Sequence, residues 1–374
     1  MPSWLKEGRG SLCGANVSLL LREMGITKPL LVAGERTKNV FFARTGMRLP
    51  VFDAFHPNPD LQDCVAGAAL YQEKGCDGLI SIGGGSAMDT AKGIKALLMT
   101  DIAHVRANQL PSEGNVPHLA IPGTAGTGAE TTAVAVLYEN GQKLSVDHPA
   151  LLPDGVLLDG SLLDTLPEYH RKSCAMDALA QGIESWWAKK ATPGSRTHAE
   201  RAIRGVLDNL TAYLQGDRKA QDEMLHAAYE SGVAILTTRT TAAHAMSYQI
   251  TKKLGAAHGH ACMLTLPHLW AHLAAQAEYQ PMLTELSRLL GGEKPMDGAI
   301  LLKGLLAVLE LDKIPMPDDA TLDMLAASVN PERLGNHPEA LTTAQLRAIY
   351  VQAFTPMTDT ERAEAIAAWE QYGK

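Results

Sequence analysis

The chain has 374 residues, a formal net charge of −8 and 46 % hydrophobic residues, which favours two domains with sizeable cores over one. Acids and bases are interspersed without a long basic run, so the balance argues against a nucleic-acid partner. No stretch approaches the roughly eighteen uninterrupted apolar residues of a membrane span, and the start, MPSWLKEGRGSLCG, does not read as a signal peptide. The five cysteines are scattered without CxxC spacing, which predicts reduced thiols and a cytoplasmic protein.

Up to about residue 165, short apolar runs alternate with amphipathic stretches. KPLLVAG, DGLISIGGG, VPHLAIPGT, AVAVLY and DGVLLD read as buried parallel or mixed strands, and 60–75 and 86–99 as helices between them. This alternation predicts a doubly wound α/β domain over 1–167. From about residue 168 the strand signals stop. Residues 173–190, 196–213, 219–237, 240–254 and 260–275 carry helical apolar spacing, as do later stretches near 297–309, 319–328 and 343–353. Residues 168–374 therefore read as an all-α domain.

GLISIGGGSAMDTAKGIKAL reads as strand, glycine turn and helix. Gly83, Gly84 and Gly85 allow the close backbone approach that a pyrophosphate needs, and the helix N-terminus offers N–H groups and a positive dipole end. Ser86 is expected to cap the helix, with Asp89 as its capping-box partner. A second polar loop, IPGTAGTGAETTAV, brings Thr124 and Thr127 to the same type of position, the carboxyl end of a strand. The end of the first strand, LLVAGERTKNV, bears on the choice of dinucleotide. Gly34 stands where an acid would bind the ribose hydroxyls and repel a 2′-phosphate, and Arg36 and Lys38 follow. NADPH is the expectation, with NADH as the alternative because Glu35 is adjacent.

In the second half, Asp177 and Gln181 lie four residues apart on one helix face, and His244 and His258 follow. A carboxylate and two imidazoles suit a divalent transition metal. The amide of Gln181 is a poorer ligand than an imidazole would be.

These pieces resemble the iron-containing (group III) alcohol dehydrogenase family, in order, over about residues 15–275. The matching stretches are GGGS at 83–86, PGTAGTGAE at 122–130, LLPDGVLLD, MDALAQGIES, HAMS at 244–247 and HGHACMLTLPH. The resemblance implies an N-terminal dinucleotide-binding domain, a C-terminal helical domain and a site in the cleft between them. It implies Asp177, His244 and His258 as metal ligands, with Gln181 at the fourth position, which is a histidine in the family. Fe2+ is expected first and Zn2+ second; a metal-free reductase is the alternative. Tyr248 stands where the family has a further histidine, so proton delivery falls to Tyr248, His260 or a water chain, and His258 counts among the catalytic candidates as a metal ligand.

Within the family, DALAQGIESWW, TTAAHAMSYQIT, HGHACMLTLPHLW and SVNPERLGNHPEALT look most like the phosphonoacetaldehyde reductase branch. That likeness implies NAD(P)H-dependent reduction of a small aldehyde, phosphonoacetaldehyde to 2-hydroxyethylphosphonate. Arg239 and Lys252 are then the candidate partners of the phosphonate. Sulfoacetaldehyde, a semialdehyde or a simple alcohol are other substrates consistent with the pattern. A lyase of the dehydroquinate synthase type is the reading from a different class, although no cluster of Lys and Arg surrounds Asp177. Family members are commonly homodimers, and a homodimer is expected here.

Overall fold

In a computed structural model, the structure is described for residues 6–112 and 116–372, with the side chains of 6–9 and 372 left aside. The chain divides into two compact units, Met1–Leu166 and Pro167–Lys374.

Among the described residues the first unit carries eight strands: β1 (Lys6–Arg9), β2 (Pro29–Ala33), β3 (Val51–Phe52), β4 (Gly78–Gly83), β5 (His118–Pro122), β6 (Val134–Glu139), β7 (Gln142–Asp147) and β8 (Gly155–Leu158). Six of them form a sheet in the order β1-β8-β5-β4-β2-β3, with every neighbour parallel. Helices α1 (Gly14–Glu23), α2 (Glu35–Thr45), α3 (Leu61–Lys74), α4 (Gly85–Met99) and α5 (Ile102–Arg106) fall between the strands. Every residue of β2, β4, β5 and β8 is buried, as a parallel sheet covered on both faces requires. The strand period of two splits its side chains into two cores. Leu30, Val32 and Leu79 pack with Leu61, Cys64 and Ile94 of α3 and α4, while Leu31, Ile80 and Ile82 pack with Val17, Leu20 and Phe41 of α1 and α2.

AVAVLY is a strand but does not join this sheet. It forms an antiparallel hairpin with β7. The hairpin's inner residues, Ala135, Leu137 and Val146, complete the core beside α4.

The second unit is helical among its described residues: α6 (Glu168–Trp187), α7 (Pro193–Leu214), α8 (Arg218–Thr238), α9 (Ala242–Gln249), α10 (His258–Ala274), α11 (Gln280–Leu290), α12 (Asp297–Val308), α13 (Asp319–Ala327), α14 (Pro331–Leu334), α15 (Thr343–Phe354) and α16 (Asp359–Tyr372). The segment expected to be one helix over 240–254 is in two parts. A π-helical turn, Ile250–Leu254, follows α9 and ends at Gly255 in the left-handed region, φ 75°. From Ala175 to Trp187 every residue of α6 is buried, so this helix runs through the middle of the unit. No helix among the described residues is long and apolar enough to cross a membrane.

Candidate metal centre and nucleotide cradle

The buried face of α6 presents Asp177, Gln181 and Glu184 at helical spacing. Helix α10 lies against it at the level of Asp177, and Gly259 makes that contact possible. A Cβ at 259 would sit 2.0 Å from the Ser173 carbonyl oxygen and 2.6 Å from Asp177 Cβ. Only a glycine lets the first turn of α10 bring His258 this close to Asp177.

The result is a compact donor cluster. One ligand atom each from Asp177, His244, His258 and Cys262 lies within 4.8 Å of the other three. Asp177 Oδ1 is 3.2 Å from His244 Nε2 and 4.0 Å from His258 Nε2. Each imidazole is also held from behind. His244 Nδ1 bonds to Glu184 Oε2, and His258 Nδ1 is 3.2 Å from the Ser247 hydroxyl. Both rings therefore turn Nε2 toward Asp177, the arrangement by which outer hydrogen bonds aim histidine ligands at an ion. Glu184 is fixed in turn by the N–H groups of Thr241 and Ala243 and by the Thr241 hydroxyl, which itself accepts from Trp187 Nε1. A carboxylate, two oriented imidazoles and a thiol are donors that fit a divalent transition metal.

The electrostatics match. Burial pushes Asp177 up, but His258 and His244 outweigh it and hold the carboxyl below its usual range. Burial likewise pulls His244 down, and Cys262, Glu184 and Asp177 reverse this to leave it well above its ordinary value. The cluster favours a positive charge at its centre.

The remaining expected residues take distinct places. Gln181 is buried one turn beyond Asp177. Its Oε1 accepts from the Ser231 hydroxyl at 2.8 Å, and its Nε2 points at Asp177 Oδ1 at 3.4 Å. The Tyr248 ring stacks on His258, 6.0 Å between centroids and 5° from parallel. Both nitrogens of His260 are engaged, Nδ1 with the Tyr169 hydroxyl and Nε2 with the Leu311 carbonyl. Arg239, in the left-handed region at φ 63°, turns its guanidinium back to the Leu236 carbonyl. Lys252 is exposed on the π-helical turn. Neither cation is part of the donor cluster. Cys262 and Glu184 were not among the expected site residues. Their spacing was visible, since Cys262 lies one turn after His258 and Glu184 two turns after Asp177.

In the first unit, Gly34, Glu35, Arg36 and Thr37 from the end of β2 join Gly83–Ala87 from the end of β4 around a cavity of about 350 Å3. Gly83 is in the glycine region at φ 145°. A Cβ on Gly84 would crowd Thr124 at 3.3 Å and one on Gly85 would touch Thr127 at an ordinary 3.6 Å, so the second polar loop backs the glycine turn. The expected capping box does not form. Helix α4 starts at Gly85 with Gly84 as its N-cap and no side-chain cap, and the Ser86 hydroxyl accepts instead from the Asn58 N–H. Burial of Asp89 raises its carboxyl to about 7. An uncapped helix start suits a phosphate better than a capped one. The cations near Gly34 are already paired: Lys38 with Glu35 and Asp53 at 2.6 and 2.7 Å, and Arg36 with the Thr165 carbonyl at 2.8 Å.

Comparison with known proteins matches both units to one family. Residues 3–160 match the model of the iron-containing alcohol dehydrogenases, and 172–354 match that of the family's C-terminal domain. The chain is 30 % identical to NAD-dependent methanol dehydrogenase of Bacillus methanolicus, over 75 % of this chain and 77 % of that protein. It is 36 % identical to phosphonoacetaldehyde reductase of Streptomyces viridochromogenes, over 57 % of this chain and 58 % of that one. The chain spans less than two thirds of the length of several curated relatives it matches. Among solved structures, sulfoacetaldehyde reductase of Bifidobacterium kashiwanohense in complex with NAD+ superposes with a TM-score of 0.85, at 26 % identity, covering 95 % of this chain and 97 % of that one.

Proposed function

We propose, from the premise that this chain belongs to the iron-containing alcohol dehydrogenase family, that it reduces a small aldehyde to its alcohol with a nicotinamide cofactor. The observation that carries this reading is the convergence of Asp177, His244 and His258, with each imidazole held from behind. A bound divalent metal would supply Lewis-acid polarisation of the carbonyl oxygen, and a bound reduced nicotinamide the hydride. The protein's own part is to hold and orient. Asp177, His244 and His258 would hold the ion, and Glu184 and Ser247 fix the two imidazoles. Gly83–Ser86 and the start of α4 receive the pyrophosphate, with Thr124 and Thr127 behind them. The Tyr248 hydroxyl delivers the proton that completes the alcohol. Its ring lies on His258, whereas the nitrogens of His260 are both taken.

The aldehyde we propose first is phosphonoacetaldehyde, giving 2-hydroxyethylphosphonate. Support comes from the 36 % identical phosphonoacetaldehyde reductase and from Gln181 at the position of an otherwise expected histidine. The sulfoacetaldehyde reductase neighbour makes sulfoacetaldehyde the second candidate, of the same anionic kind. Lys252 or Arg239 would meet the anionic tail. NADPH is the proposed cofactor because Gly34 places no carboxylate at the end of β2. Lys38 and Arg36 are already paired, which weakens their claim on a 2′-phosphate and keeps NADH in the comparison. The test is a steady-state comparison of phosphonoacetaldehyde, sulfoacetaldehyde and uncharged aldehydes of similar size with each cofactor. A higher kcat/KM for uncharged aldehydes than for both anionic ones would contradict the substrate assignment.

A further inference from the structure

Two helices each offer a pair of residues one turn apart to the same point. Helix α6 offers Asp177 and Gln181, and α10 offers His258 and Cys262. The amide on the first pair is a weak ligand, and it is committed. Gln181 accepts from Ser231 and faces Asp177 with its N–H2. The thiol on the second pair is a strong ligand once deprotonated. Cys262 Sγ lies 3.9 Å from His258 Nε2 and belongs to the group of four donors within 4.8 Å of one another. Ligand atoms around a tetrahedral ion with bonds of about 2.0–2.3 Å stand somewhat under 4 Å apart, so small side-chain movements close this shell. A buried cysteine is often only a small apolar filler. Cys262 differs in facing two imidazoles and a carboxylate instead of an apolar core.

We propose that Cys262 is the fourth protein ligand of the metal site, in the place Gln181 leaves weak, and that the Asp177–His244–His258–Cys262 set selects Zn2+ over Fe2+. This rests on the reading of the site as a metal centre given above. A thiolate and two imidazoles are softer ligands than the carboxylate, imidazole and amide set, and zinc binds such sites more tightly than ferrous iron. On binding, the thiol gives its proton to solvent and the sulfur donates an electron pair to the ion, with no change of oxidation state.

The test is X-ray absorption on the full chain loaded with Zn2+, together with chelator-competition affinities for Zn2+ and Fe2+ in the wild type, Cys262→Ser and Gln181→Ala. The wild type should show one sulfur at about 2.3 Å beside nitrogen and oxygen at about 2.0–2.1 Å. Cys262→Ser should lose the sulfur shell and bind Zn2+ about a hundredfold more weakly, an even share of the binding energy among four ligands. Gln181→Ala should change Zn2+ affinity by less than Cys262→Ser does. Bound zinc with no sulfur in the wild-type shell would overturn the proposal, and so would wild-type affinity in Cys262→Ser. Zinc with a sulfur shell but no turnover of any aldehyde would sink the reductase reading and leave Cys262 a ligand. Aldehyde turnover in a protein that takes up neither metal would do the reverse.

Discussion

Glu184 shows how a buried residue that touches no substrate can decide what the site does. It accepts two backbone N–H groups and the Thr241 hydroxyl, and its remaining oxygen holds His244 Nδ1. Removing that oxygen's charge should loosen the imidazole. Glu184→Gln is expected to weaken metal affinity by about 10–100-fold, measured by chelator competition. Gly259 is the steric counterpart. Gly259→Ala puts a methyl 2.0 Å from a backbone oxygen, so α10 must move off α6. A loss of about 3 kcal/mol in urea unfolding is expected, and a wild-type midpoint would show that the contact yields easily. Tyr248→Phe should lower kcat by about a hundredfold with little change in KM, if its hydroxyl carries the proton. At the cofactor end, Gly34 has nothing within 4 Å of a built Cβ, so Gly34→Asp fits sterically. It should shift the kcat/KM ratio from NADPH toward NADH by about tenfold or more, through repulsion of the 2′-phosphate. Asp177, His244 and His258 were legible as candidate ligands because they fall in motifs. Cys262 was not, because a lone cysteine without a CxxC partner reads as an ordinary reduced thiol until the helix packing shows what faces it.

Among the elements, the segment after α13 ties the site to the rest of the second unit. Asn336 donates to the carbonyls of Thr238 and Thr240, and these flank the turn that delivers Thr241 to Glu184. Beside it His337 is fully buried, its ring edge-on to Trp187, and burial pushes it down to about 3. The pH consequence has a definite sign. The unfolded chain protonates this histidine near pH 6.5 and the folded one only near pH 3. Its stabilising contribution is therefore present above about 6.5 and lost as pH falls through that window. His337→Phe should flatten the fall in Tm between pH 6.5 and 4, and an unchanged slope would contradict the assignment. The sequence made β2, β4, β5 and β8 legible because they are almost wholly apolar, but not β1, whose Lys6–Arg9 run is polar. It hid β7, where Gln142, Lys143 and Ser145 face outward, and β3, only two residues long. Helix α11 carries Leu283, Leu286, Leu289 and Leu290 on its buried side, with Pro281 tolerated in its first turn. Helix α16 has little apolar pattern of its own. It is held by close packing on α12, where Gly304 meets the Ala365 carbonyl at 2.1 Å from a built Cβ.

For the whole molecule, two observations of different kinds point the same way. The first unit builds an uncapped helix start and two glycine-rich strand ends, and the second builds a charged donor cluster inside a helical bundle. The family match extends over both units, residues 3–160 and 172–354. We also propose a homodimer, in which the outer edge of β1, which pairs only with β8 among the described strands, takes up a partner strand. Sedimentation at micromolar concentration should give twice the mass of 40.0 kDa. The central claim is that the buried cluster holds a metal on which aldehyde reduction depends. Its most direct test is NADPH oxidation with phosphonoacetaldehyde before and after complete chelation, with metal content measured on the same samples. Activity should fall by at least a hundredfold on chelation and return with stoichiometric Zn2+ or Fe2+. Full activity in verified metal-free protein would contradict it.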